Sequence, residues 1–219
     1  SNYECNCDDD GSNCLIECAV EENCLGQCGI EIDDAYCTDN FNAGLITAGG
    51  YHNLAINSDQ EVYAWGRNND GEINVPIDLT DVIKVESGEY HSLALKSDGT
   101  VVAWGENDSG QITVPADLTD VVDISGGENH SLALKSDGTV VAWGHNNVGQ
   151  LDMPSDLDNV VSISAGRDHN LALKADGTVV AWGRNYNNST DVPDDLTDVV
   201  AEIIVSTDND TASKLIEEV

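Results

Sequence analysis

Four histidines are each followed by a hydroxyl or amide side chain: His52-Asn53, His91-Ser92, His130-Ser131 and His169-Asn170. An imidazole beside a serine is the starting material of acyl transfer, in which the ring takes the hydroxyl proton and the oxygen attacks a carbonyl. Seven residues after each histidine comes an aspartate (Asp59, Asp98, Asp137 and Asp176), which would complete a triad by composition. The spacing points elsewhere. Both sets recur at steps of 39 residues. A catalytic constellation is needed once, and four copies at equal steps are architecture. No catalytic residue is assigned, and the expectation is a protein that is not an enzyme. Neither a phosphate-binding P-loop nor an H-E-x-x-H zinc motif occurs.

Thiol chemistry is confined to one end. All seven cysteines (Cys5, Cys7, Cys14, Cys18, Cys24, Cys28 and Cys37) lie in the first 40 of 219 residues. So small a segment buries too little apolar surface to fold alone, and disulfides are the usual remedy in an oxidising compartment. A secreted or cell-surface protein is therefore expected. An odd count leaves one thiol free or bonded to another chain, and the pairing is not legible from spacing. Zinc is the rival reading for the two C-x3-C pairs, although no histidine lies nearby to join them. The adjoining Asp8-Asp9-Asp10 offers hard oxygens to Ca²⁺. It lacks the alternating ligand spacing of a calcium loop, and a solvated acidic turn is the competing reading. No cofactor is assigned beyond this calcium candidate.

The positions that carry the histidines belong to a lattice. Trp65, Trp104, Trp143 and Trp182 repeat at 39 residues, as do Pro76, Pro115, Pro154 and Pro193. A period in this range without insertions means a solenoid, propeller or similar array. Within one unit, Val121–Ser125 reads as a first strand and His130–Lys135 as a second. Ser136-Asp137-Gly138 reads as a tight hairpin and Thr139–Trp143 as a third strand. A sheet this small cannot bury both faces, and stacking on copies of itself solves that problem. The composition and lattice divide the chain into a Cys-rich acidic head (1–42), the repeats with a spare strand (43–205) and a tail (206–219). Ala212, Leu215, Ile216 and Val219 give the tail the spacing of a short amphipathic helix.

The unit H-S-L-A-L-K-S-D-G-T-V-V-A-W-G-E-N-D-S-G-Q-I-T-V-P (91–115) and its three copies resemble RCC1-type repeats. They are most similar to the subgroup typified by the β-lactamase inhibitor protein II. The resemblance implies an all-β fold of propeller blades, seven in the usual member, with binding through loops on one face and no catalysis. Three departures stand out. There are four units, Asn188-Ser189 replaces Gly-Gln in the last, and the head has no counterpart. The residues Val199–Val205 begin a fifth unit that then loses the histidine and the Asp-Gly hairpin. Such an array closes into a small ring, is capped by head and tail, is completed by a neighbouring chain, or is a fragment of a longer array.

Binding would sit where the lattice varies. Before each histidine the units differ at Tyr51, at Glu89 and Tyr90, at Glu128 and Asn129, and at Arg167 and Asp168. After each Trp-Gly they differ at Arg67, Glu106, His145 and Arg184. The propeller reading puts each set on one rim, as a surface for a protein partner. Composition narrows the partner. With 41 acidic and 8 basic residues, the formal charge is −33. Such a surface repels phosphate backbones and anionic lipid, and no apolar run has the roughly 18–20 residues of a membrane span. The expectation is a scaffold that acts through protein contacts, including contacts with copies of itself in a ring, filament or coat. A soluble binding or inhibitory module for a foreign protein is the alternative, and a calcium-dependent adhesion protein is a minor one.

Overall fold

The computed structural model describes residues 45–199, together with two short segments, 6–7 and 14–15. The chain divides into two units, Ser1–Phe41 and Asn42–Val219. In the first, β1 (Asn6–Cys7) pairs antiparallel with β2 (Cys14–Leu15), which sets Cys7 opposite Cys14 in register. The remaining cysteines, the Asp8–Asp10 run, the fifth-unit strand beyond Val199 and the tail lie outside the described residues.

The second unit is built from four copies of one three-stranded antiparallel sheet. Blade 1 contains β3 (Ile46–Ala48), β4 (His52–Ile56) and β5 (Val62–Gly66). Blade 2 contains β6 (Val82–Ser87), β7 (His91–Lys96) and β8 (Val101–Gly105). Blade 3 contains β9 (Val121–Gly126), β10 (His130–Lys135) and β11 (Val140–Gly144). Blade 4 contains β12 (Val160–Ala165), β13 (His169–Lys174) and β14 (Val179–Gly183). The middle strand of each is the His-x-Leu-Ala segment, paired on both sides.

Local chemistry explains the hairpin between the second and third strands. In blade 3 the Asp137 carboxylate accepts the Thr139 N–H at 3.0 Å, and the Gly138 N–H donates to the Lys135 carbonyl at 2.9 Å. Gly138 sits at φ +80°, a conformation that a side chain would strain. The periodic aspartates are therefore turn residues, as their spacing implied.

Alternation along β10 sends Leu132 and Leu134 to one face and Ser131 and Ala133 to the other, and all four are buried. The reason is that an inner blade is covered on both sides. Leu132 and Leu134 pack toward blade 4, in a cluster with Val160, Ile163, Ala172 and Trp182. Ala133 packs toward blade 2, with Leu93, Leu95 and Val101. The equivalent cluster between blades 1 and 2 contains Leu54, Val82, Val85, Ala94 and Trp104. Each joint thus takes its leucines from the earlier blade and its tryptophan from the later one.

Among the described residues, equivalent positions are unequally covered at the two ends of the stack. Trp104, Trp143 and Trp182 are 5–6% exposed, whereas Trp65, in the first of the described blades, is 51% exposed. Replacing Trp143 by Ala empties a joint and should lower stability by about 3–5 kcal/mol. Replacing Trp65 by Ala should cost less than about 1 kcal/mol. Urea unfolding followed by far-UV circular dichroism measures both.

Candidate protein-interaction rim

The two variable sets meet blade by blade. The Arg67 N–H donates to the Tyr51 carbonyl, Glu106 to Tyr90, His145 to Asn129 and Arg184 to Asp168, each at 2.9 Å. The positions before the histidine and after Trp-Gly therefore form one rim. Its side chains run on from one blade to the next.

At the start of the rim, the Tyr51 and Tyr90 rings stack with centroids 5.6 Å apart and 16° between planes. The Arg67 guanidinium lies over both, 4.6 Å from the Tyr90 centroid and 5.6 Å from that of Tyr51. The hydrogen-bonded Glu89 carboxylate pushes the Tyr90 phenol up to about 12, so it stays a neutral donor. Further on, Arg167 grips Glu128 of blade 3 through two nitrogens, at 2.7 and 3.1 Å. Asp168 accepts from Arg184 at 3.2 Å, and Arg184 lies 5.2 Å over the Tyr186 ring.

Beneath the rim is a buried residue in each of the first three blades. The Gln111 amide donates to Glu106 at 3.1 Å and to Asn129 of the next blade at 3.3 Å. The Gln150 amide donates to the His145 Nδ1 at 3.1 Å, which places that ring's proton on Nε2. Where the rim residue is Arg67, the buried residue is Glu72, with its carboxylate 3.2 Å from the guanidinium Nε. Rim and support thus change together, an acceptor above an amide donor and a cation above a carboxylate. In blade 4 the support is missing, and Ser189 instead donates its hydroxyl to the Arg184 carbonyl at 2.9 Å.

The histidines pair with neither their own serine nor any substrate position. His52 Nε2 lies 2.8 Å from the Ser92 hydroxyl of the next blade. His91 reaches Ser131 at 3.0 Å, and His130 reaches Asn170 at 2.6 Å. Ser92, Ser131 and Asn170 each donate onward, at 2.8 Å, to the backbone carbonyl of Glu72, Gln111 or Gln150. The same carbonyls accept the indole N–H of Trp104, Trp143 and Trp182 at 2.8–2.9 Å. Because each serine spends its proton on a carbonyl, it must accept from the imidazole, so the histidine proton is on Nε2. The hydroxyls are fully buried and cannot act as nucleophiles toward solvent-borne substrates.

The other ring nitrogen has no donor. Nδ1 of His52, His91 and His130 is buried without a partner. A Cβ on Gly88 would stand 2.2 Å from the His91 ring, so glycine is required where the ring lies flat on the backbone. Burial lowers the affinity of all three rings for a proton. For His91, flanked also by His130 and His52, the value falls to about 3.

Sequence reading found the rim positions and the four histidines but not these joints. The signal was present as a Gln or Glu five residues after the variable position 67, 106 or 145, and as a Ser or Asn after each histidine. It carried no indication that the partner lies one blade away.

Antiparallel three-stranded sheets, joined face to face through buried tryptophans, make this chain a set of β-propeller blades. The regulator of chromosome condensation (RCC1) repeat matches residues 45–72, 82–111, 121–150 and 160–189, more than half of the chain, which belongs to that family. Among solved structures, yeast RCC1 (Prp20) bound to Kap60 is similar, with 22% identity and a TM-score of 0.59. That match covers 70% of this chain and 46% of Prp20. A second structure, of Prp20p from Saccharomyces cerevisiae, described with its binding to Gsp1p and histones, is 29% identical with a TM-score of 0.56 over 67% and 44%. Human WBSCR16 is 22% identical with a TM-score of 0.56 over 69% and 51%. The chain thus spans about half the length of these proteins. No curated protein matches it in sequence.

The joints make stability depend on pH. A ring that stays neutral in the fold down to about pH 3, but titrates near 6.5 when unfolded, stabilises fully above 6.5. That contribution is lost as pH falls from 6.5 toward 3. His91→Gln should destabilise the protein at pH 7, and the gap to wild type should narrow by about 2 kcal/mol at pH 5. Parallel urea titrations at the two pH values test this.

Proposed function

We propose that the protein is a non-enzymatic interaction scaffold of the extracellular space or cell surface, and that it assembles with copies of itself. The RCC1-like repeats support action through protein–protein contacts. The observation that carries self-assembly is the unequal burial of equivalent residues. Ile46 is 77% exposed, while Val85, Ile124 and Ile163 at the same repeat position are 0–7% exposed. Apolar surface that three blades bury and one leaves open is an association surface. The cysteine-rich head supports an oxidising compartment, and its odd thiol offers a covalent route between chains.

With a charge of −33, the copies repel one another at long range. Light scattering over a range of concentration should show particles larger than 23.3 kDa. Raising the salt should favour them, because it screens repulsion and spares apolar contact. A strictly monomeric species, with and without reductant, would overturn self-assembly.

A second reading is favoured by the Tyr51–Tyr90–Arg67 stack. Aromatic and arginine side chains dominate binding energy at protein interfaces, and this rim presents them pre-ordered. The rim would then capture a different protein, as the alternative of a binding or inhibitory module supposes. Replacing Tyr51 and Tyr90 together by Ala should weaken such capture by 10-fold or more, roughly one hot spot. The thermal midpoint should stay within a few degrees. Equal binding by wild type and the double variant in a pull-down would remove this reading.

A further inference from the structure

The three internal joints give the chemistry of a fourth. At each, the earlier blade presents two aliphatic side chains (Leu54 with Ile56, Leu93 with Leu95, Leu132 with Leu134), an imidazole and a backbone carbonyl. The later blade presents a β-branched residue, a small residue, a Ser or Asn and a tryptophan. Blade 1 has an uncovered face of the second kind, formed by Ile46, Asn53, Ala55, Tyr63 and Trp65. Ile46, Tyr63 and Trp65 are exposed, and among the described residues neither the Asn53 side chain nor the Trp65 indole N–H has a hydrogen-bond partner. Among the described residues, blade 4 has an uncovered face of the first kind. Leu171 is 37% exposed, while Leu54, Leu93 and Leu132 at the same position are 0% exposed. His169 is only part-buried, and Leu196 is exposed.

Resting on the self-assembly reading, we infer that the blade 4 face of one copy docks on the blade 1 face of a second copy, as a head-to-tail joint of the same kind as those inside the chain.

The polar groups match in direction as well as in number. His169 of one copy meets Asn53 of the next, the pairing already made by His130 with Asn170. The Trp65 indole N–H and the Asn53 amide are donors. The Ser189 carbonyl occupies the repeat position of the Glu72, Gln111 and Gln150 carbonyls that accept such donors. Along the inner edge, the N–H groups of Gly50, Glu89 and Glu128 each donate to a carbonyl of the following blade, at 3.0–3.3 Å. The same step carries an N–H of blade 4 to a carbonyl of blade 1 in the next copy. Two faces of blade 1, or two of blade 4, would set donor against donor or leucine against histidine, with neither the indole nor the imidazole satisfied. The contact is therefore heterologous. It closes into a ring if the blade-to-blade rotation allows and otherwise runs on as a filament.

The experiment uses full-length protein blocked at one face at a time, Trp65→Glu for blade 1 and Leu171→Glu for blade 4. A charge buried in a joint should weaken it on the order of 100-fold. Each variant alone should sediment as a monomer at concentrations where wild type is assembled. An equimolar mixture should form a dimer, since one variant keeps the blade 4 face and the other the blade 1 face. Ile46→Glu and Leu196→Glu replace either variant that fails to show the wild-type circular dichroism spectrum. A variant that still assembles alone, or a mixture that stays monomeric beside assembled wild type, overturns the head-to-tail joint. Monomeric wild type overturns the self-assembly reading as well, the faces then being covered by other residues of the same chain or by a different protein.

Discussion

The fold depends on one backbone carbonyl in each of the first three blades. The oxygens of Glu72, Gln111 and Gln150 each accept two hydrogen bonds from the blade that follows, one from an indole and one from a Ser or Asn side chain. A carbonyl has two lone pairs, and both are used. No blade can supply both partners itself, because its own tryptophan points back toward the blade before. The Ser or Asn in turn fixes the imidazole, and the imidazole requires a glycine backbone beneath it. Leucines and tryptophans fill the rest of the joint, and the polar chain at its centre sets how deep and at what register they meet. Apolar contact alone would tolerate sliding; a chain of fixed donors and acceptors does not.

Much of this was legible in the sequence, for a physical reason. A repeated structure repeats its requirements, so the tryptophans, the Asp-Gly hairpins and the histidines appear at one interval. The strand order inside a blade followed from short connections: Ser136-Asp137-Gly138 leaves room only for a hairpin. Even the structural role of His52 and His91 followed from their number. What the spacing could not reveal was the partner. Ser92 follows His91 in sequence, yet strand alternation sends them to opposite faces, and His91 bonds to Ser131 instead. The need to cover both faces of β10 was legible as a need for stacking, but the residues that cover each face come from the blades on either side and not from the strand's own pattern.

The rim is coupled to the joints beneath it. Gln111 touches both a rim residue of its own blade, Glu106, and one of the next, Asn129. Glu72 supports the rim residue of its own blade, Arg67, with a carboxylate in place of the amide donor. A change at the surface therefore needs a compatible change below, which is why the variable positions are not independent of the lattice. The stacked tyrosines with their arginine occur only where Glu72 stands under them.

The hydrogen bonds between blades run in two fixed senses: the histidine donates forward to the following blade's Ser or Asn, and that side chain and the indole donate back to a carbonyl of the earlier blade. A blade therefore has two unlike sides, and any blade's later side suits any other's earlier side. A 39-residue segment duplicated or deleted in register would leave every remaining joint with its partners intact. Length in this architecture is thus open to change by whole units, without new chemistry at the seams. A partial duplication would strand an imidazole or an indole and would be rejected by the fold.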